Sequence, residues 1–313
     1  MLTMKYTQIL VKAVVLFAVF MLMTVIVSAQ ENKALTVEES SNLELMPKYK
    51  KSKSGFIDTT GTVFIPYVDD PPFSEGLARV KLNGKYGFID TTGTVVIPLK
   101  YDVVYRFYGG IALVVLNGKY GFVDETGKEI IPLKYDSADL FSDSLAPVRL
   151  NGEYGFIDKK GKEVVPLKYD DADNFFEGLA VVGLNSKYGF IDNTGKEIIP
   201  LKYGRAGRFS EGFAIVQING KRGFIDKTGR EITPLKYDSA DLFSEGLANV
   251  ELNGKWGFID KMGKVVIPLK YDVPFRFYDG LAVVGLNGIT LFIDKQGNEY
   301  ATEEKAKKAI IGK

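Results

Sequence analysis

Apolar and polar positions alternate in short runs along most of this chain, and turn residues cut the runs at regular intervals. Residues 145–150, Leu-Ala-Pro-Val-Arg-Leu, lead into Asn151-Gly152; residues 153–158 lead into Lys159-Lys160-Gly161, and the next run ends at Pro166. Both residues of an Asn-Gly pair tolerate the positive φ of a two-residue hairpin, whose twist matches the strands it joins. The pair recurs at 83, 117, 151, 219, 253 and 287, with Asn185-Ser186 as the one weaker version. Asp90-Thr91-Thr92-Gly93 and its equivalents suit a turn capped by the aspartate side chain and closed by glycine. The pattern predicts a three-stranded antiparallel meander whose third strand is ended or edged by a proline that cannot donate to a ladder.

The meander repeats. Aligning the glycine of Gly-Phe-Ile-Asp places copies at Gly55, Gly87, Gly121, Gly155, Gly189, Gly223, Gly257 and Leu291, 34 residues apart after a first interval of 32. If Asn117-Gly118 closes a hairpin, Leu116 faces Lys119, and alternation divides the side chains between two faces. One face holds Ala112, Val114, Leu116, Gly121 and Val123; the other holds Leu113, Val115, Tyr120 and Phe122. Neither is made for water. Stacking the small face of one copy on the aromatic face of the next would cover both.

Covering an aromatic ring contributes about 1.5–3 kcal/mol, against about 0–1 kcal/mol for an exposed ion pair. Packing between copies should therefore dominate, with Phe88, Phe122, Phe156, Phe190, Phe224, Trp256 and Phe258 as structural anchors. The expected fold is all-β: tandem three-stranded antiparallel meanders forming an open, twisted β-repeat solenoid. A closed propeller-like ring is the alternative, although 34 residues is short for a four-stranded blade.

The ends differ from the middle. Lys5 and Lys12 precede an apolar run from Ala13 to Val27, and Val27-Ser28-Ala29 offers the small residues of a cleavage site. Residues 1–29 read as a secretory signal peptide, with an uncleaved anchor as the alternative. Residues 30–50 read as a cap in which Leu45 to Lys50 is a fragment of the Pro-Leu-Lys-Tyr-Asp segment. Residues 51–300 carry the eight copies, and 301–313 form a capping helix or tail. Export then ends in the periplasm, at the cell surface or outside, with no stable membrane span after cleavage.

Composition narrows the chemistry. With 46% apolar residues and 33 glycines the chain has material for a continuous core in turn-rich β structure. Removing Lys5 and Lys12 takes the formal charge from +1 to −1, which gives no electrostatic reason to bind nucleic acid. Cysteine and histidine are both absent, which removes disulfides, zinc sites built on His or Cys, histidine bases and the usual nucleophilic triads. No cofactor is expected, and no catalytic residue is assigned.

The run from Trp256-Gly257-Phe258-Ile259-Asp260 through Lys261-Met262-Gly263, Ile267-Pro268, Tyr271-Asp272 and Gly280-Leu281-Ala282 resembles the WG-repeat family, also called KWG repeats. The resemblance covers residues 50 to 300. It implies bacterial β-rich repeat proteins, often exported, generally without an assigned catalytic role. The family's Trp survives only at Trp256; Ser54, Tyr86, Tyr120, Tyr154, Tyr188, Arg222 and Thr290 take its place elsewhere, and Leu291 replaces the glycine.

Aspartates at 58, 90, 124, 158, 192, 226, 260 and 294 invite a carboxylate mechanism or a calcium array. Each lies at a turn of a different copy, so capping is the expected role. Function is better sought where copies differ. Arg106, Phe107 and Tyr108 match Arg276, Phe277 and Tyr278, and Arg205, Arg208 and Phe209 form another basic and aromatic connection. A binding rim of Arg106, Tyr108, Arg205, Arg208, Arg276 and Tyr278 is the candidate, set against packing with exposed arginine heads. The function expected is a non-catalytic extracytoplasmic scaffold for an unknown protein or envelope component. The alternative is a cell-wall or polysaccharide binder, a glycan reading that an exposed row of Tyr86, Tyr120, Tyr154 and Tyr188 would favour.

Overall fold

The computed structural model describes residues 45–50, 53–58, 64–66 and 73–311; residues 1–29 and most of the 30–50 segment lie outside them. The chain divides into two compact units, Met1–Lys134 and Tyr135–Lys313. Among the described residues eight antiparallel sheets of three or four strands carry the eight copies. Within each unit they follow one another as an open β-repeat stack, and no sheet of the described residues closes into a ring.

The copy around Gly189 shows the construction. Its strands Leu179–Leu184 and Lys187–Asp192 pair with Leu184 opposite Lys187 and Val182 opposite Gly189, the register that a two-residue Asn-Ser turn dictates. The corresponding pairing of Leu116 with Lys119 and Leu113 with Phe122 appears in the first unit. The third strand, Glu197–Tyr203, then runs back along the second.

Three features depart from the expected meander. The connection between copies is not a bare crossing, because Asp171–Phe176 pairs with Leu179–Leu184 and adds a fourth strand at the edge. Pro200 does not end its strand; the chain continues through it to Tyr203, and the pairing absorbs it as a bulge, with Tyr188 opposite Tyr203 but Phe190 opposite Ile199. An edge position leaves the missing N–H without a ladder partner to disappoint. Finally, Leu45–Lys50 pairs along its whole length with Lys53–Asp58, so it is the first strand of the first meander and not a piece of the Pro-Leu-Lys-Tyr-Asp segment.

The bulge explains the glycine of Gly-Phe-Ile-Asp. A Cβ on Gly189 would lie 2.4 Å from the Ile199 carbonyl oxygen and 2.8 Å from the Leu201 nitrogen, both backbone atoms that cannot swing away. Leu291 is the exception that the geometry permits. Its third strand is only Glu299–Tyr300, paired with Ile293 and Phe292, so no bulge crosses it and its side chain joins the core around Phe258.

Packing runs across the joints between copies. Phe190, Ile199 and Tyr203 share one cluster with Phe209, Ala214, Val216 and Ile225 of the following copy. The ring of Phe190 meets Phe209 edge-on at 4.9 Å between centroids. Phe156 with Phe175 (4.9 Å) and Phe258 with Phe277 (5.0 Å) repeat the contact, as Phe88 with Phe107 (4.8 Å) does in the first unit. After the last sheet the helix Glu303–Ile311 replaces a further copy: Ala306 is fully buried and Ile310 reaches Gly280.

Gly189→Ala should lower stability by about 1–3 kcal/mol, the usual cost of forcing a methyl group into packed structure, read as a lower urea midpoint by circular dichroism. Leu291→Ala should leave the local backbone pairing unchanged, because no third strand pairs at that position and its partner Val284 bonds through the backbone alone.

Candidate functional site

Most repeated polar residues are occupied in holding the stack together. Asp192 Oδ1 accepts the backbone N–H groups of Thr194 (2.9 Å) and Lys196 (3.0 Å) and the Thr194 hydroxyl (2.6 Å). The Thr194 hydroxyl, followed by those two N–H groups, holds its carboxyl below the ordinary range against the opposing effect of burial. Asp90, Asp124, Asp158, Asp226, Asp260 and Asp294 make the same bonds to the N–H groups two and four residues on. Each aspartate is thus a turn cap, and among the described residues no group of three acidic side chains could hold a metal ion.

A second set of carboxylates, in the polar turns that precede a new copy, links consecutive copies. Glu75, Glu177, Glu211 and Glu245 each occupy a left-handed conformation, with φ between 52° and 54°. Asn or Gly is the usual residue in such a turn. The glutamates are there for their side chains: Glu211 Oε2 accepts the Gly246 N–H (2.9 Å) and pairs with Lys261 (3.1 Å). Glu245 does the same with Gly280 (3.0 Å) and Lys295 (3.0 Å), and Glu177 with Gly212 (3.0 Å) and Lys227 (3.1 Å). Beside Glu211 and Glu245, Ser210 and Ser244 donate to the Phe243 and Phe277 carbonyls of the next copy at 3.3 and 2.8 Å, whereas Glu177 follows Phe176. The signal in the sequence is an acid before Gly at 75, 177, 211, 245 and 279, the last four 34 residues apart.

The Tyr86, Tyr120, Tyr154 and Tyr188 positions are half-buried rather than an exposed row. Tyr154 and Tyr188 pack against the clusters of their own copies, as Trp256 does against the Phe258 cluster. Their remaining surface is partly covered: Arg149 lies 5.4 Å from the Tyr154 centroid, and Lys81 lies 4.6 Å from that of Tyr86. The anchors Phe88, Phe122, Phe156, Phe190, Phe224 and Phe258 are all buried.

The candidate rim falls on the connections. In the first unit Arg106 is partly buried while Tyr108 is 76% exposed, with Val103 and Tyr105 exposed beside it. In the second, Tyr278 is 85% exposed, and Val273 and Phe275 share that surface. Arg276 Nε donates to Asp241 Oδ2 at 2.8 Å, tying one connection to the preceding one. Arg208 is exposed and lies over the Phe176 ring at 4.5 Å, and Arg205 is exposed one turn away. The arginines are thus partly engaged with neighbouring copies, while the exposed aromatics are not.

The linking glutamates make stability depend on pH. For Glu211 and Glu245 burial pushes the carboxyl up, but the lysine and the glycine N–H outweigh it and hold each below the ordinary value. A carboxyl depressed by folding contributes stability above its unfolded value and loses it as pH falls through the folded one. The thermal midpoint should therefore drop below about pH 4, and Glu211→Gln with Glu245→Gln should flatten that drop. Thermal melts between pH 3 and 7 check this.

No curated protein sequence matches the chain. Among solved structures it is similar to a eukaryotic initiation factor (12% identity, 82% of this chain and 84% of that one, TM-score 0.45). It is also similar to Kluyveromyces lactis Hsv2 (7%, 71% and 90%, TM-score 0.39). A third is PorZ, a surface component of the type-IX secretion system of Porphyromonas gingivalis (11%, 85% and 46%, TM-score 0.32). These scores are too low to support a functional argument. The WG containing repeat matches residues 55–86, 86–120, 120–154, 154–188, 188–221, 223–256 and 256–288, and the chain belongs to this family of tandem β-repeats.

Proposed function

We propose that the protein is a non-catalytic, exported repeat scaffold that binds a protein or envelope component through its aromatic connections. One observation carries this reading. The repeated side chains are spent on turns and joints, whereas among the described residues six of the twelve large exposed apolar residues, including all the exposed aromatics, fall on two matching connections, Val103 to Tyr108 and Val273 to Tyr278. A cluster of exposed apolar side chains with an arginine beside it is typical of recognition surfaces. The half-buried tyrosine row supports a scaffold over a glycan platform. Export rests on the basic and apolar leader at residues 1–29.

A polysaccharide remains the second reading, favoured by the near-complete exposure of Tyr108 and Tyr278. Among the described residues no helix is long and apolar enough to cross a membrane.

The doubly substituted variant Phe275→Ala, Tyr278→Ala should keep its thermal midpoint, since both rings are exposed, and lose at least about tenfold in capture of its partner from an envelope extract. Capture that is undiminished would refute the connection surface. Binding to purified insoluble cell-wall glycan, with no protein partner retained, would replace the scaffold reading with the second one.

A further inference from the structure

The joints between copies contain a polar device that loses its carboxylate at one place and its lysine at the joint before it. Its parts are a lysine after one hairpin turn, the aspartate of the next Lys-Tyr-Asp, and the asparagine N–H of the following hairpin. In the first unit Asp102 takes Lys85 Nζ on one oxygen (2.5 Å) and the Asn117 N–H on the other (2.6 Å). In the second, Asp272 takes Lys255 (2.6 Å) and the Asn287 N–H (2.7 Å). Asp238 takes Lys221 and the Asn253 N–H in the same way.

At the copy that begins with Lys202-Tyr203 the aspartate is replaced by Gly204. The glycine is not required by the backbone: its φ lies outside the left-handed region, and a Cβ there would find only the Gln217 oxygen, 3.5 Å away. The main-chain path is also unchanged. Gly204 N–H donates to Gln217 O at 2.8 Å, just as Asp102 donates to Val115 and Asp272 to Gly285, both at 2.8 Å. Lys187 Nζ and the Asn219 N–H therefore stand in the frame that holds a carboxylate elsewhere, and neither has an acceptor among the described residues. Asn219 keeps the same left-handed conformation as Asn253 and Asn287, with φ of 49° against 54° and 51°.

We propose that Lys187 Nζ and the Asn219 N–H form a carboxylate-binding site that takes an aspartate or glutamate side chain from an acidic peptide partner. The complete joints define the occupant: the group that fills this frame in sister copies is an aspartate carboxylate carried at a bend between two strands of a polypeptide. A two-oxygen acceptor satisfies one ammonium and one amide donor, and charge-assisted bonds of this kind are the stronger class. Exposed Arg205 adds attraction for an anion next to the frame. The preceding joint limits how much negative charge the partner carries. There Glu153 occupies the lysine position opposite Asp170, whose carboxylate accepts the Asn185 N–H at 2.6 Å. Two acids at the adjacent joint repel a phosphate-rich polymer and tolerate an isolated carboxylate. The site is separate from the aromatic connections and stands or falls apart from them.

The test is an amide NMR titration of the full chain with the capped peptide acetyl-Gly-Glu-Gly-amide, its Gln counterpart, glucuronate and inorganic phosphate. The Asn219 amide should move saturably with the Glu peptide and not with the Gln peptide. Lys187→Gln should weaken the response about tenfold, as expected for removing a charged donor. Gly204→Asp supplies the missing carboxylate in a form the other joints already accommodate. It should shift the Asn219 amide before any ligand is added, and abolish the response. Circular dichroism confirms that both variants fold. An Asn219 amide indifferent to the Glu peptide, or an unchanged response in Gly204→Asp, overturns the site. Tighter binding of glucuronate or phosphate than of the Glu peptide overturns the peptide occupant.

Discussion

The edge-on contact between the phenylalanine of Gly-Phe-Ile-Asp and the phenylalanine of the next connection, 19 residues on, is what the rest of this structure depends on. A 34-residue meander with two apolar faces has nothing of its own to cover them. The Phe190–Phe209 pair closes one face against the following copy, and Ile199, Tyr203, Val216 and Ile225 fill in around it. Burial of that kind is worth more than any exposed polar contact in the joint. The short fourth strand and the bulge over Gly189 shape each sheet for that joint, and the C-terminal helix covers the last sheet, where no further copy follows among the described residues.

Polar groups set the register of the stack and add a smaller share of its strength. The glutamates held at positive φ reach one copy forward to a glycine N–H, and the serines beside Glu75, Glu211 and Glu245 reach the next phenylalanine carbonyl. A slip of one residue would leave all of these bonds unmade. Where the sequence departs from the common repeat, the sheet departs too. In the copy around Phe224, Thr233 stands at the usual Ile or Val position, and its hydroxyl accepts the Phe224 N–H at 3.0 Å. The third strand there is reduced to isolated bridges, Arg222 with Tyr237 and Ile225 with Glu231. In the next copy Asn249 is buried, with its side-chain oxygen unbonded.

Much of this was legible in the sequence. The hairpin register follows from Asn-Gly chemistry, the buried phenylalanines follow from alternation, and the aspartate caps follow from their position before a turn glycine. The bulge was not legible, because a proline after Ile reads as a strand end until the partner strand is seen to continue to Tyr203. Nor was the first strand, since Leu45–Lys50 resembles Pro-Leu-Lys-Tyr in composition and only pairing separates the two readings. The linking glutamates look like ordinary surface acids; their purpose lies in a glycine 35 residues away. For the rim, the residue types were visible, but which of them are engaged by neighbouring copies was not: Arg276 is tied to Asp241, while Tyr278 is free to meet solvent.

If the joint is the unit of stability, weakening one ring should loosen two sheets. Native-state hydrogen exchange on Phe190→Ala measures this directly. A buried Phe→Ala change typically costs about 3–5 kcal/mol. Protection should fall together for the strands Lys187–Asp192 and Phe213–Ile218, which lie on either side of the Phe190–Phe209 contact. Protection lost only in Lys187–Asp192, with Phe213–Ile218 exchanging as before, would contradict the account: each meander would then be stable in its own right.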